Sequence, residues 1–326
     1  MVKAIALMSG GLDSTIAAKI IKDQGIDVLG VCFKSAFFGS KNAVRMAKTI
    51  DIPLKVIDFT EEHIKMVRNP KHGYGKNMNP CIDCHALMLK KAGELMENVG
   101  ADFLLTGEVL NERPMSQNLQ SLNIVKNESG YASKILRPLC AKNLPPTEME
   151  KQGLVDRERL LDIKGRSRKA QMDLAKKLGI NDYPSPAGGC KLTEIEFSRR
   201  LKDLLTYEKD FDLKDIEVLK IGRHFRISPL IKLISTRNAD EYKSLESLQK
   251  EDDLIFDAVK YSGSTVILRG VPDEKGILLA AEIAARYSKG NMMDCVEVRY
   301  GLKNDQNFKI IDVKPASDKN IAAFML

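Results

Sequence analysis

The chain has 326 residues, 44% of them hydrophobic and 29% charged, an ordinary globular balance that argues against disorder, a fibre or a repeat array. No apolar run reaches membrane-spanning length and Met1 to Met8 lacks the flanks of a secretory leader, so a cytoplasmic protein with no membrane partner is expected. Net charge is +7 and uneven: 29 Lys and Arg stand against 21 Asp and Glu up to Thr193, and 22 against 23 after it, so the first part suits a polyanion such as nucleic acid.

Lys3 to Met8 reads as a strand ending in glycines, Leu12 to Asp23 as a helix and Asp27 to Phe33 as a second strand. The alternation continues with a helix near Ser40 to Ile50, a strand near Leu54 to Phe59, a helix near Ile82 to Asn98 and a strand at Asp102 to Thr106. Such a rhythm predicts an α/β fold, a parallel sheet with helices on both faces. Arg157 to Leu178 reads as a basic helix, and the Pro- and Gly-rich stretch Tyr183 to Gly189 stops regular structure. From about Phe211 the pattern changes to paired strands with single helices: Glu217 to Ile227, Ile231 to Arg237, a helix Ala239 to Gln249, Leu254 to Lys260, Thr265 to Arg269, a helix Glu274 to Ser288, then Cys295 to Tyr300 and Phe308 to Val313. Two domains are therefore expected, residues 1–205 and a smaller α+β domain over 211–326.

Ser9-Gly10-Gly11-Leu12-Asp13-Ser14 lies directly after the first strand and opens the first helix. Two glycines let the backbone approach phosphate, the helix N-terminus offers N–H donors, Ser9 and Ser14 add hydroxyls, and Asp13 can hold Mg²⁺. The bland alternative is a glycine turn with an Asp/Ser helix cap. At these residues the sequence resembles the PP-loop ATPase superfamily, whose S-G-G-x-D-S signature is matched in full. The resemblance implies ATP cleaved between the α and β phosphates, with adenylation of a carbonyl oxygen.

Six cysteines are too few for a disulfide scaffold, so clustered ones are read as ligands or catalysts. Cys81 and Cys84 stand three residues apart in Asn79-Pro80-Cys81-Ile82-Asp83-Cys84-His85, where a helix begins whose N-terminus favours thiolate. Cys190 follows in Pro186-Ala187-Gly188-Gly189-Cys190. Three thiolates suit a 4Fe-4S cluster with one open iron; zinc with His85 as a fourth ligand, or metal-free persulfide or disulfide chemistry, remain alternatives. Cys32, Cys140 and Cys295 read as small core residues.

Asn79-Pro80-Cys81, a following helix and Leu104-Leu105-Thr106-Gly107-Glu108 resemble the tRNA 2-thiouridine and 4-thiouridine synthases. Ser116-Gln117 with Arg137-Pro138-Leu139 is closer to the 4-thiouridine branch. Cluster-dependent thiolases of the superfamily likewise pair a C-x-x-C with one distant cysteine. The resemblance covers about residues 1 to 195. It implies a tRNA substrate, ATP with Mg²⁺ at Ser9, Gly10, Gly11, Asp13, Ser14 and Gly107, catalytic roles for Asp13, Cys81 and Cys190, and metal ligation by Cys81, Cys84 and Cys190. The sulfur donor would be sulfide, a cysteine desulfurase or a persulfide carrier. Two features depart from it: the loop begins at residue 9, where the 4-thiouridine synthases carry an RNA-binding region ahead of it, and the helix-containing tail is unlike the β-barrel of the 2-thiouridine enzymes. That tail is similar instead to the NFACT-type RNA-binding domain.

Candidate RNA contacts are Arg113, Arg166, Arg168 and Lys169 in the first part, against a solvated helix start as the plain reading. In the tail they are Lys220, Arg223 and Arg226, with Lys232 and Arg237 nearby, no acid from Val218 to Asn238, and Phe225 as a stacking face. The rival functions are a PP-loop ligase or amidotransferase acting on a small molecule, and a non-catalytic RNA-binding protein with a structural ligand. Nothing in the sequence sets an oligomeric state.

Overall fold

Lys3–Leu7 forms strand β1, and its alternation explains why the sheet needs cover on both sides: Ala4 and Ala6 join one apolar cluster, Ile5 the other, and all three are fully buried. In the computed structural model, which describes residues 1–185, 189–303 and 307–326, it is followed by α1 (Leu12–Lys22), β2 (Asp27–Lys34), α2 (Lys41–Thr49), β3 (Leu54–Asp58), α3 (Thr60–Arg68) and α4 (Cys81–Asn98). Next come β4 (Phe103–Leu105), α5 (Leu119–Glu128), β5 (Ile135–Leu136), α6 (Glu148–Lys151) and α7 (Lys169–Lys177). The strands order as β3-β2-β1-β4-β5 and every pairing is parallel. Helices α1, α2 and α7 supply Ile16, Met46 and Ala175 to one layer, while α4 and α5 supply Leu89 and Val125 to the other. This is the α/β architecture expected, and its strand order reverses between β1 and β4, where such sheets open a crevice at their carboxyl ends.

Contacts divide the chain into Met1–Thr193 and Glu194–Leu326. The second unit contains α8 (Ile195–Tyr207), α9 (Leu213–Val218), β6 (Arg223–Ser228), β7 (Ile231–Ser235), α10 (Ala239–Glu246), β8 (Leu254–Ala258), β9 (Val266–Gly270), α11 (Glu274–Arg286), β10 (Val296–Leu302), β11 (Lys309–Val313) and α12 (Asp318–Ala322). Its antiparallel sheet runs β11-β10-β8-β9-β7-β6. Period-two alternation sends Leu233 and Leu268 to the α11 face and Ile234 and Ile267 to the face closed by Leu245 of α10. The segment after α12 pairs with β6 through Arg226 N–H to Phe324 O (2.9 Å) and Leu326 N–H to His224 O (2.9 Å), covering that edge strand.

Some elements differ from the sequence reading. The division falls after Thr193 and not between 205 and 211, because α8 is bound into the second unit: Arg200 Nη1 donates to Leu219 O (2.9 Å) and Asp203 accepts from Arg226. Arg157 to Leu178 is not one helix. Lys164 bridges to Leu110 and Gly165 N–H donates to Leu110 O (2.8 Å), which pulls the chain into extended form before α7 begins at Lys169. Glu217 to Ile227 splits into the end of α9 and strand β6. The short α3, α5 and β5 carry patterns too weak to stand out before the fold supplies their partners.

Candidate functional site

The loop after β1 is a backbone cradle. Gly10 sits at φ +80°, and a Cβ there would come within 2.3 Å of Ala43 N. Gly11 caps α1 with no side-chain cap hydrogen bond, which leaves the helix N-terminus available to an anion. Ser9 and Ser14 hydroxyls lie 3.1 Å apart, Gly11 N–H donates to Ser9 Oγ (3.2 Å), and Ser14 Oγ donates to Gly11 O (3.0 Å). The loop after β4 closes the other side: a Cβ on Gly107 would meet Ser14 N at 2.4 Å. The Ser9–Ser14 loop and Gly107 therefore meet at the switch between β1 and β4.

Asp13 stands at the mouth. Burial pushes its carboxyl up, more than Arg168 and Arg113 pull it down, and its Oδ1 is buried with no hydrogen-bond partner. Arg168 Nη2 lies 3.4 Å from Asp13 Oδ2 and its Nε 3.6 Å from Glu112 Oε1. The Glu112 carboxyl is also raised, by burial and then by Asp13. Arg168, expected on RNA, is half-buried as a counter-charge of Asp13 and Glu112, while Arg113, Arg166 and Lys169 are exposed.

The thiols gather on the next loops. Cys81 and Cys84 open α4, and Asp83 fixes the preceding loop by accepting from Lys71 N–H (3.0 Å) and His72 N–H (3.1 Å). Asn79 Nδ2 donates to Cys81 Sγ (3.3 Å), a partner suited to a sulfur carrying negative charge. Cys84 is buried, and burial with the nearby Cys190, Cys81 and Asp83 pushes its thiol well up. Burial thus overrides the helix N-terminus, which had suggested a thiolate here. Its Sγ meets His63 Nε2 at 3.4 Å; burial lowers that imidazole to about 4, and it stacks on Phe59 at 4.7 Å. Lys191 N–H donates to Phe37 O (2.9 Å) and Asn77 Nδ2 to Thr193 O (2.7 Å), seating the half-buried Cys190 on the same side. Pro186, Ala187 and Gly188 of its motif lie outside the described residues.

His85, the sequence's candidate for a fourth zinc ligand, has its Nδ1 3.1 Å from Glu108 Oε1, a contact that leaves Nε2 to any metal. Among the described residues no three His, Cys, Asp or Glu side chains converge where a single ion would sit. Glu108 also accepts from Arg137 Nε (2.8 Å) and Thr106 Oγ1 (3.1 Å). Burial pushes its carboxyl up, but Arg137 and His85 outweigh that and hold it at about 2. Through this one carboxylate the thiol helix α4 is tied to the Gly107 loop that packs on the nucleotide cradle. The sequence had offered Thr106-Gly107-Glu108 and Arg137-Pro138-Leu139 as separate motifs with no sign that they pair.

In the second unit Arg226 is bound bidentately by Asp203 (2.7 and 3.0 Å), Lys220 pairs with Glu217 (2.6 Å), and Arg223 covers the Tyr287 ring at 4.3 Å. Phe225 is fully buried, so it is a core residue and not a stacking face. Of the remaining cysteines Cys32 and Cys140 are core, as read, but Cys295 is exposed.

Fold and loop define an α/β unit with a glycine cradle at the carboxyl edge of its parallel sheet, and an additional α+β unit. Residues 1–145 match the family described as Thiamine biosynthesis protein (ThiI), and residues 222–325 match the NFACT protein RNA binding domain. The first segment is thus similar to that family and the second to that RNA-binding domain, each match covering less than half of the chain. It is 36% identical over 128 residues to a tRNA-specific 2-thiouridylase MnmA of Clostridium acetobutylicum, covering 32% of this chain and 35% of that protein. With the MnmA of Listeria monocytogenes it shares 24% identity over 243 residues, 68% of this chain and 61% of that protein. The chain thus spans between about a third and three fifths of these relatives' length. A solved 4-thiouridine synthetase–RNA complex with bound ATP aligns with TM-score 0.38 and 19% identity, over 55% of this chain and 41% of that one.

Proposed function

We propose that the protein is an ATP-dependent tRNA sulfurtransferase of the cytoplasm, replacing a uridine carbonyl oxygen with sulfur and forming AMP and pyrophosphate. The supporting observation is Glu108, which holds His85 of the cysteine helix at 3.1 Å while its neighbour Gly107 packs on Ser14. An activation site and a sulfur site are so fixed against each other at one sheet edge. In this reading the α1 N-terminus, Ser9 and Ser14 hold the phosphates and Asp13 holds Mg²⁺, for which its unpartnered Oδ1 is fitted. The uridine oxygen attacks the α-phosphorus, pyrophosphate leaves and the ring N–H proton is released. A carbon–sulfur bond then forms as the carbon–oxygen bond breaks and AMP departs. Positioning and neutralisation of the phosphates supply the rate.

Cys81, Cys84 and Cys190 are the donors for a 4Fe-4S cluster. Support comes from Cys81 and Cys190 lying near enough to Cys84 to raise its thiol, three thiols at one sheet edge. When bound, the cluster supplies an open iron able to hold sulfide. A persulfide on Cys81 or Cys190, both half-buried, is the metal-free alternative: its outer sulfur bonds the carbon, a second thiol of the site attacks the inner sulfur to form a disulfide, and an external thiol reduces that disulfide. The second unit, with its NFACT match, is assigned to RNA, and Arg113, Arg166 and Lys169 are exposed cations of the first that suit phosphate contacts.

Ser116-Gln117 and Arg137-Pro138-Leu139 favour 4-thiouridine, while the names of the curated relatives favour 2-thiouridine as a second reading. Anaerobic incubation of unmodified tRNA with ATP, Mg²⁺ and sulfide, then nucleoside mass spectrometry, separates them. AMP without any thionucleoside would point to the small-molecule ligase, and neither product to a plain RNA-binding protein.

A further inference from the structure

Arg168 is a poor fit to the place it occupies. Where this protein uses an arginine to neutralise a buried acid, contacts are short: Arg226 to Asp203 at 2.7 Å, Arg269 to Asp253 at 2.8 Å, Arg137 to Glu108 at 2.8 Å. Arg168 instead stands 3.4 Å from Asp13 Oδ2 and 3.6 Å from Glu112 Oε1. Its Nε and Asp13 Oδ1 are both buried without a hydrogen-bond partner. Two carboxylates thus face one guanidinium that lies near both without bonding either well. A small cation with two positive charges would satisfy both acids where the broad guanidinium cannot.

We infer that Glu112 is the second carboxylate ligand of the nucleotide's divalent cation, forming a seat with Asp13 that Arg168 fills until metal and nucleotide arrive. The inference rests on the nucleotide-site reading above. Arg168 then turns its donors to the incoming phosphates, with Arg113 beside it, so the guanidinium changes partner without the charge of the site going unbalanced. Glu112 is thereby distinct from Glu108, only four residues earlier, whose oxygens are consumed by Arg137, Thr106 and His85.

The test uses the whole chain and Mn²⁺ as probe, counting free Mn²⁺ by electron paramagnetic resonance with and without α,β-methylene-ATP. Glu112→Gln should raise the Mn²⁺ concentration for half-saturation roughly 10- to 100-fold in the presence of the analogue. Glu112→Asp should recover part of the loss, and Arg168→Met should tighten Mn²⁺ binding in the absence of nucleotide. Thermal melts within a few degrees of wild type show that each variant folds. Wild-type Mn²⁺ affinity in Glu112→Gln overturns the inference and leaves the nucleotide site standing. A wild-type protein that takes neither the analogue nor Mn²⁺ overturns the nucleotide-site reading itself.

Discussion

The Asp13 cluster of the first unit and the buried ion pairs of the second handle charge in opposite ways. In the second, Arg269 donates to both Asp253 oxygens and to Asp215, while Arg226 holds Asp203 with Lys232 3.7 Å away. Each of these acids is covered by its own partners, so the groups fasten α8 and α9 to the sheet and have little left for a ligand. In the first unit Asp13, Glu112 and Arg168 lie close but make long contacts, with polar atoms left unpaired. Leaving a buried polar atom unmet costs about 1–3 kcal/mol, an expense a fold tolerates where a ligand later supplies the partner. Short bonding marks scaffold, and at Asp13 the loose bonding fits a place that waits for a ligand.

The most damaging way to break this contrast is to remove a thiol. Cys190→Ala should lower thiolation by about 10³-fold or more while leaving binding of the ATP analogue unchanged. Anaerobically purified wild type should carry about four irons and acid-labile sulfide, both lost in the variant. Full thiolation by Cys190→Ala sinks the three-thiol site.

Glu108→Gln comes next. It leaves Arg137 buried opposite a neutral amide, at a cost of about 3–5 kcal/mol. The folded Glu108 carboxyl lies below its ordinary value, so its stabilisation is present at neutral pH and lost as pH falls from 4.5 towards about 2. Acid titration of wild type should show that loss, and the variant should be flat in the same window. A variant as stable as wild type at pH 7 would mean that the tie between thiol helix and nucleotide loop carries no load.

Smaller effects separate cations that build from cations that bind. Arg226→Met should destabilise the second unit by a few kcal/mol and leave the salt dependence of tRNA binding as it was. Lys169→Gln should do the reverse, an unchanged melt with the salt slope reduced by about 1. If Arg226→Met alters the slope, the pairing with Asp203 yields to RNA.

How far the sequence carried these assignments depends on the range of the interactions. The cradle was legible from Ser9 to Ser14 because six consecutive residues contain its turn, its helix start and its carboxylate, and the strand periodicities placed it on the sheet. Most of the second unit's strands were legible for the same reason. Glu108 with Arg137, Cys84 with His63 and Asp13 with Glu112 were not, because each pairing is made by the packing of separate loops and none has a spacing that a pattern could flag. Arg226 and Phe225 misled in a related way: a basic, aromatic strand looks like an RNA surface until the fold shows Asp203 and the core taking its side chains.

The mildest test bears most directly on what the long contacts mean. If Asp13 is held ionised at a cost for the sake of a cation, replacing it with a neutral isostere should relieve the free protein. The folded carboxyl lies above its ordinary value of 3.8, so the penalty is absent at pH below that value, grows as pH rises through the folded value, and is constant beyond it. Asp13→Asn should therefore be more stable than wild type at pH 7, by about 1 kcal/mol or less, with the two melts converging below pH 4. AMP formation should fall about 10²- to 10³-fold in the same variant. Stability gained together with activity lost would show that the unpaired oxygen is kept for a ligand. Stability lost at neutral pH would show that Arg168 and Asp13 form a structural pair after all, no different in kind from Arg226 and Asp203.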